Sequence, residues 1–317
     1  MTRPCASLAI IVGSTVLAAA APVAAQEEAE NAPAPASGGV TIDWRVLGGA
    51  SYQADTDMDD GGEFNLMRAG IGLNAAFDVN SELRLDATVA YQFDSYDFSG
   101  RTGFGGLDPW EDINSLRMRI GARYIIDDQW AVFGGPILSF SAEDDASFSN
   151  SFTAGGVAGA SYRMSDTFTL GFGYGVFGQI DDDTKIFPFF TFNWKASDQL
   201  TIRSAELPVG MNARGGGGIE AAWALSDTWE LALGAQYQTS RFRLDDEGVA
   251  PDGVGESRSV PIYVSSKWSI TPNCMVGAFV GVVVGGELRL ENDGGNRISE
   301  EDFDPAPLLG GRVSFRF

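Results

Sequence analysis

Apolar and polar residues alternate along most of the chain with a period of two. In LRLDATVAYQF, residues 83–93, the odd positions are apolar or aromatic, whereas the even positions include Arg84 and Asp86. SLRMRIGARY, residues 115–124, repeats the pattern with arginine at 117, 119 and 123. A helix would spread these charges around its circumference, whereas a strand collects them on one face. The pattern therefore predicts β-strands from Val40 onward.

Short polar turns and longer loops divide the strands in a regular rhythm. Six short turns are rich in Ser, Asp, Asn or Thr: DVNSEL, IDDQW, MSDTFTL, ASDQL, LSDTWEL and ITPNC. Seven longer excursions rich in Asp and Gly fall between them, at about 53–64, 97–111, 142–150, 181–183, 207–215, 243–256 and 291–306. This rhythm is typical of barrels with short periplasmic turns and longer outer loops. We therefore predict an all-β fold, a transmembrane antiparallel up-and-down β-barrel of about 14 strands with acidic outer loops.

A chain of this composition has few ways to cross a membrane. Beyond the N-terminal segment, its longest apolar run is CMVGAFVGVVVGG. That run is too short and too rich in glycine for a membrane helix, which needs about 20 residues. A closed barrel is the other structure that satisfies every backbone group in lipid. An aromatic girdle is expected at the periplasmic turns, and five tryptophans lie within a few residues of short turns: Trp130, Trp194, Trp223, Trp229 and Trp268.

The last residues, LLGGRVSFRF, alternate more cleanly than chain ends usually do. They resemble the closing strand and assembly signal of bacterial outer-membrane proteins, in which apolar residues recur at the last, third-, fifth- and ninth-last positions. The matching residues here are Leu309, Val313, Phe315 and Phe317. The tail and the stretch RFRLDDEG also look like a family of predicted outer-membrane barrels of unassigned function. The resemblance implies a location in the cell outer membrane, with outer-membrane lipids and the barrel-assembly machinery as partners.

The N-terminal residues predict export. Arg3 supplies a positive start, residues 8–21 an apolar core, and Val23-Ala24-Ala25 a small-residue cleavage site. We therefore expect a signal peptide at 1–25, a disordered acidic and Pro/Ala-rich segment at 26–39, and the barrel at 40–317. Cys274 is then alone in the exported chain, and we interpret it as a packed, inert residue.

The chain is strongly acidic, with 43 acidic and 21 basic residues and a net charge of −22 at pH 7. Such a charge repels nucleic acid. The acidic residues cluster in the turn-rich stretches, which favours a solvated loop surface; divalent cations held at these acidic loops are the alternative interpretation. No loop is long enough to be an obvious latch between subunits, so we expect a monomer rather than a trimer.

The chain contains no histidine at all. This excludes Ser-His-Asp hydrolysis and histidine-ligated metals. The glycine-rich stretches GRTGFGG and GGGG neither open a helix nor carry the lysine of a phosphate loop. We therefore expect no enzyme activity, no cofactor and no metal site.

The charges on the polar face of each predicted strand indicate a function. Side chains fill a barrel of about eight strands, so a barrel of fourteen is expected to hold water. Gly171, Gly173 and Gly175 on the seventh strand favour open space. An arginine-rich wall facing acidic residues is typical of porin-like passive diffusion of small hydrophilic solutes. The candidate pore-lining residues are Arg45, Arg68, Arg84, Asp86, Arg117, Arg119, Arg123, Glu220, Glu230, Glu287, Arg312 and Arg316.

Three alternatives remain open at this level. The inward charges could instead pair, Arg84 and Asp86 with Arg117 and Arg119, and stiffen a mostly occluded lumen. Fourteen strands also resemble the uptake barrels for fatty acids and aromatic compounds, and inward Phe187 and Phe189 hint at an apolar path, although the chain lacks their large N-terminal plug. A structural or surface barrel that transports nothing is the third possibility. A diffusion channel predicts ion conductance, and an uptake barrel predicts binding of an apolar ligand. A barrel that transports nothing predicts neither.

Overall fold

A computed structural model describes residues 42–147, 150–205 and 217–317. The predicted signal peptide, the segment at 26–39 and the loop predicted at 207–215 lie outside the described residues. Among the described residues, no helix is both long enough and apolar enough to span a membrane.

The described chain forms sixteen β-strands and one short helix. In order they are β1 (Ile42–Asp57), β2 (Glu63–Asp78), β3 (Leu83–Ser99), α1 (Gly103–Leu107), β4 (Asp112–Ile125), β5 (Trp130–Glu143), β6 (Phe152–Ser165), β7 (Phe168–Gln179), β8 (Asp182–Lys195), β9 (Leu200–Ser204), β10 (Gly218–Ser226), β11 (Trp229–Gln236), β12 (Gln238–Arg243), β13 (Val254–Thr271), β14 (Cys274–Glu291), β15 (Arg297–Phe303) and β16 (Ala306–Arg316).

Fourteen of these strands close into an antiparallel barrel, as predicted. The order around the barrel is β1 to β11, then β13, β14 and β16. β16 pairs with β14 on one side and with β1 on the other, in a register that runs from Arg45↔Arg316 to Gln53↔Leu308. The C-terminal strand is therefore the closing strand, and no edge of the fourteen-stranded sheet is left unpaired along this seam.

The six short turns lie where the sequence predicts them, at 79–82, 126–129, 166–167, 196–199, 227–228 and 272–273. Their polar side chains hold the backbone directly. Asn80 Oδ1 accepts the N–H groups of Glu82 and Leu83 at 2.8 and 2.7 Å. Asp127 Oδ1 does the same for Gln129 and Trp130, at 2.8 Å each. Such local side-chain hydrogen bonds explain why Asn and Asp recur at these positions.

Side chains alternate between lipid and lumen along the strands. Ile120 and Val280 are exposed on the outside, whereas Gln92 and Ser115 are buried inside. Six exposed tryptophans lie at the short-turn end of the barrel. Five are those of the predicted girdle, Trp130, Trp194, Trp223, Trp229 and Trp268, and the sixth is Trp44 near the start of β1.

β12 and β15 are additional to the barrel. β15 lies within the outer loop predicted at 291–306, whereas β12 ends where the loop predicted at 243–256 begins. β12 continues the line of β11 beyond Tyr237 and pairs with the outer part of β13, from Gln238↔Ser259 to Arg243↔Val254. Its last residue also bridges to β5, at Arg243↔Ala142. Since β5 is six strands away from β11 in the barrel order, β12 extends across the outer mouth.

Candidate functional site

A cluster of fifteen buried residues fills the outer mouth of the barrel. Trp110 connects its parts, because its ring meets those of Phe98, Phe104 and Phe242 edge to face, at centroid distances of 5.5, 5.5 and 5.2 Å. Burial of each such ring contributes roughly 1.5–3 kcal/mol. We call this set the mouth cluster: Met58, Phe64, Leu66, Tyr96, Phe98, Phe104, Trp110, Ile113, Phe242, Leu244, Ala250, Val283, Leu288, Leu290 and Phe303.

Residues 237–253, which we call the cap, close the mouth from the β11–β13 side. The guanidinium group of Arg241 donates to Glu256, Glu291 and the carbonyl of Ile180, at 3.2, 2.6 and 3.0 Å. Arg243 pairs with Asp181 and donates to the carbonyl of Asn150 at 3.2 Å. Ile180 and Asp181 belong to the β7–β8 turn, and Asn150 to the β5–β6 loop. Two buried arginines therefore fasten the cap to the far rim.

The helix α1 is held against β15 by one carboxyl group. Glu301 Oε1 accepts the N–H of Phe104 at 2.7 Å. Burial of this carboxyl raises the pKa of Glu301, and the hydrogen bond from Phe104 opposes the shift. Phe104 is thereby fixed within the mouth cluster.

The lumen beneath the cap is lined mainly by polar side chains, and several of them are buried. Arg68 connects the lumen with the cap, because it donates a hydrogen bond to Gln238 of the cap at 3.3 Å. The same guanidinium group makes a bidentate pair with Asp94, at 2.8 and 3.1 Å. A cavity of about 30 Å³ lies next to Arg68 and Gln238. A volume of this size holds about two water molecules. The buried lumen-facing polar residues include Gln53, Gln92, Asp94, Ser115, Ser139, Ser161, Thr191, Arg203, Glu220 and Ser265.

The inference of open space at the glycines of β7 is wrong. A Cβ built on Gly173 would lie 2.7 Å from the Phe189 ring, and one on Gly175 would lie 2.5 Å from the Phe187 ring. The register explains this, since Gly173 pairs with Phe189 and Gly175 with Phe187. Aromatic rings from β8 therefore lie over the glycines and occupy the space beside them. With Phe133 and Phe177, these rings form an apolar patch on the wall of β5 to β8.

Replacing Gly173 by alanine is expected to destabilise the barrel. The new Cβ would lie 2.3 Å from the carbonyl oxygen of Ala158 as well as against Phe189, so backbone and ring both have to move. Overpacking of this kind costs about 1–3 kcal/mol. Urea unfolding of the refolded protein in lipid vesicles measures the loss. The control Gly178→Ala, in the same strand, meets its nearest atom at 3.4 Å and should unfold like the parent. Equal stability of the two variants would contradict the packing described here.

The predicted basic residues on β1, β3, β4 and β16 face the lumen, and some of the predicted pairs form. Asp86 pairs with Arg119 at 2.5 Å. Arg84 instead lies near Asp43 and Asp78, at 4.0 and 3.7 Å. Arg316 also pairs with Asp43, at 2.6 Å. Arg117 makes no ion pair with a described residue, so the predicted pairing across β3 and β4 is confirmed for one of its two arginines.

A second network lies on the opposite wall. Arg203 donates to Glu220 and Glu230, at 2.7 and 2.8 Å. Lys267 approaches the same two carboxylates, at 3.8 and 3.1 Å. Tyr263 adds a hydroxyl donor to Glu220 at 3.2 Å, and Glu220 is 1% exposed. Glu220 and Glu230 thus face inward as predicted. The sequence analysis did not identify Arg203 as a lumen residue. The strand register identifies it, because Arg203 lies directly opposite Glu220 on the neighbouring strand.

Glu287 lies elsewhere than predicted. Below Gly285, Phe279 and Val283 are buried on the lumen side of β14. At Gly285 the backbone takes a positive φ of 58°, and the register with β13 shifts between Arg258 and Val260. Beyond this bulge Leu288 and Leu290 enter the mouth cluster instead, and Glu287 pairs with Arg258 at 3.0 Å on the opposite face. Glu287 belongs to the outer-loop ion pairs rather than to the barrel wall.

In the described part of the chain, no three histidine, cysteine, aspartate or glutamate side chains converge to hold a metal ion. Cation binding at the acidic loops therefore stays a prediction.

The fold and its lipid-facing girdle define an outer-membrane β-barrel protein. Residues 13–202 match the family described as the outer membrane protein beta-barrel domain, and the chain belongs to that family. A comparison with curated proteins found no match.

A comparison with solved structures found several remote similarities, and those described next are all to outer-membrane proteins. An outer-membrane channel from Pseudomonas putida F1 is 11% identical, with 90% of this chain and 100% of that chain covered and a TM-score of 0.49. A FadL homologue from Pseudomonas aeruginosa is 11% identical, covers 86% and 90%, and has a TM-score of 0.48. The toluene transporter TodX from P. putida is 10% identical, covers 86% and 89%, and has a TM-score of 0.46. Likeness this remote does not indicate a substrate.

Proposed function

We propose that this protein is an outer-membrane channel for small hydrophilic solutes, and that the cap closes its outer mouth. The observation that carries the proposal is the chemistry of the lumen below the cap. Both walls present charged groups, arginines on β3 and β4 and the Arg203 network on β9 to β13. Polar groups are expensive to bury without purpose in a membrane protein and commonly mark a path for solutes or ions.

The contacts of the cap favour a movable closure. Its link to the far rim consists of the Arg241 and Arg243 hydrogen bonds and the packing of Phe242, and α1 and β15 complete the mouth. The charged partners on both sides can bind water once separated. Opening therefore requires exposure of the mouth cluster but leaves the fourteen-stranded barrel intact. Passage of solute would follow displacement of the cap.

Excision of the cap tests the proposal. We expect the refolded parent protein to remain mostly closed in a planar bilayer, and a variant with residues 239–252 replaced by a short Gly-Ser linker to conduct in discrete steps. Liposomes that contain the variant should swell in small sugars. A correctly folded variant that neither conducts nor admits sugars would overturn the proposal. Lys185→Gln, at an exposed outer-loop pair, serves as the matched control and should behave like the parent.

A second candidate, uptake of hydrophobic compounds, is favoured by one specific observation. The mouth cluster and the patch around Phe189 provide two apolar surfaces within the barrel. This function predicts saturable binding of an apolar fluorescent probe such as N-phenyl-1-naphthylamine, with loss of affinity in Phe242→Ser. Swelling in sugars without probe binding would exclude it in favour of the hydrophilic channel.

The lipid-facing surface of the barrel supports the proposed partners. Leu309, Phe315 and Phe317 are exposed on the closing strand, and Phe317 is 74% exposed. Their exposure supports contact with lipid and recognition by the barrel-assembly machinery. A monomer remains the proposed state.

A further inference from the structure

The lumen wall of β3, β4 and β6, from the middle of the barrel to the short-turn end, carries a surplus of positive charge. It consists of Arg84, Arg117, Arg119, Arg123 and Arg163, and we call it the basic wall. Asp86 is the carboxylate within this wall, and it is already paired with Arg119. Asp43 and Asp78, which are not part of this wall, lie 4.0 and 3.7 Å from Arg84. The surplus therefore falls on Arg117, Arg123 and Arg163.

Two of these arginines lack partners. In the described part of the chain, the Nε atoms of Arg117 and Arg123 are buried without a hydrogen bond, and neither side chain joins an ion pair with a described residue. Arg123 also lies directly opposite Arg84 in the β3–β4 register and within reach of the charge of Arg163. Like charges in this position repel each other. Unpartnered charges at membrane depth are costly and mark a functional site.

A cavity adjoins one of these two arginines, Arg123. It has a volume of about 40 Å³, and its lining includes Arg119, Arg123, Ser161, the carboxylate of Asp86 and the ring of Phe133. Guanidinium groups bind carboxylates and oxyanions through pairs of parallel N–H bonds, and a hydroxyl can donate a further bond. The cavity has room for a group of this kind but carries one carboxylate that would oppose it.

We propose that the basic wall binds the anionic group, a carboxylate or an oxyanion such as phosphate, of a small soluble solute. An anion between Arg119, Arg123 and Ser161 supplies a partner for Arg123 and relieves the repulsion between Arg84 and Arg123. The inference deepens the proposed channel function, on which it rests, by naming the class of solute. Solutes with a negatively charged group pass in preference to neutral or cationic ones of the same size.

Binding can be measured apart from transport. Isothermal titration of the detergent-solubilised protein with inorganic phosphate, and separately with acetate, is expected to show saturable binding. Arg123→Gln, which changes a residue of the cavity, should weaken it at least tenfold, and Arg117→Gln/Arg123→Gln, which removes a second charge of the basic wall, should weaken it further. Asp86→Asn should change affinity in the opposite direction and tighten binding, because the opposing carboxylate is gone. Lys185→Gln should leave the affinity unchanged, since Lys185 lies in an exposed pair with Asp182 in the outer loops.

The outcomes separate this inference from the channel proposal. Absence of saturable binding by either anion, or equal affinity in the parent and the double variant, overturns the anion site. In the cap-excised barrel, the reversal potential in a KCl gradient should show anion preference, which Arg117→Gln/Arg123→Gln removes. A silent cap-excised barrel that still binds phosphate overturns the channel and leaves the anion site standing. A conducting barrel that binds neither anion overturns the anion site and leaves the channel standing.

Discussion

Arg241→Met is expected to turn the closed barrel into a conducting one. Arg241 is 5% exposed and serves two carboxylates at once, Glu256 at 3.2 Å and Glu291 at 2.6 Å. Removal of one partner from a buried ion pair costs about 3–5 kcal/mol, because the charge left behind is desolvated without compensation. That penalty exists in the closed state alone, since displacement of the cap returns both carboxylates to water. The fraction of open time should rise roughly a hundredfold or more.

Single-channel recording measures this change as open probability. Arg297→Met is the matched control, because Arg297 pairs with Glu300 at 2.9 Å but is 60% exposed on its side chain. Pairs at the surface contribute about 0–1 kcal/mol, so the control should stay as closed as the parent. Frequent opening of both variants, or of neither, would show that the Arg241 contacts do not hold the cap.

Arg203→Met is expected to destabilise the barrel itself by about 3–5 kcal/mol, since it leaves Glu220 buried without its closest cation. Lys267 is 3.8 Å from Glu220 and already lies closer to Glu230, at 3.1 Å. It therefore compensates little. The free energy of unfolding in urea, measured in lipid vesicles, gives the loss.

The double variant Arg203→Met/Glu220→Leu provides the internal check. It removes the stranded carboxylate and leaves Lys267 paired with Glu230, so most of the stability should return. Arg203→Met should also leave the open probability of the cap unchanged, because the network lies on the barrel wall and does not touch the cap. A double variant as unstable as the single one would indicate that Arg203 acts through packing rather than through charge.

Much of the fold could be predicted because each feature leaves a local signal. Alternation gives the strands and their faces, and Asn or Asp at the short turns gives the connections, as Asn80 and Asp127 illustrate. The closing strand follows from the pattern of its last residues. None of these features requires knowledge of which residues meet across the barrel.

The closed mouth depends on contacts that sequence separation conceals. β12 directly precedes the loop predicted at 243–256, and no local pattern shows where it leads. The residues that bind its arginines, Ile180 and Asn150, are 61 and 93 residues away in the sequence. The open-space inference failed for a related reason. A strand read alone shows glycines at 173 and 175, whereas the register with β8 places the rings of Phe189 and Phe187 beside them.

The seam between β1 and β16 has a consequence for how the barrel forms. Each short turn joins strands that follow one another in the chain, so those hairpins can form early in folding. The seam joins residues as far apart as Asp43 and Arg316, a separation of 273. Loop-closure entropy for such a span costs about 5 kcal/mol beyond its constant part. Closure of the ring is therefore the slow, late event of folding, and until then two sheet edges remain open to pairing with other chains.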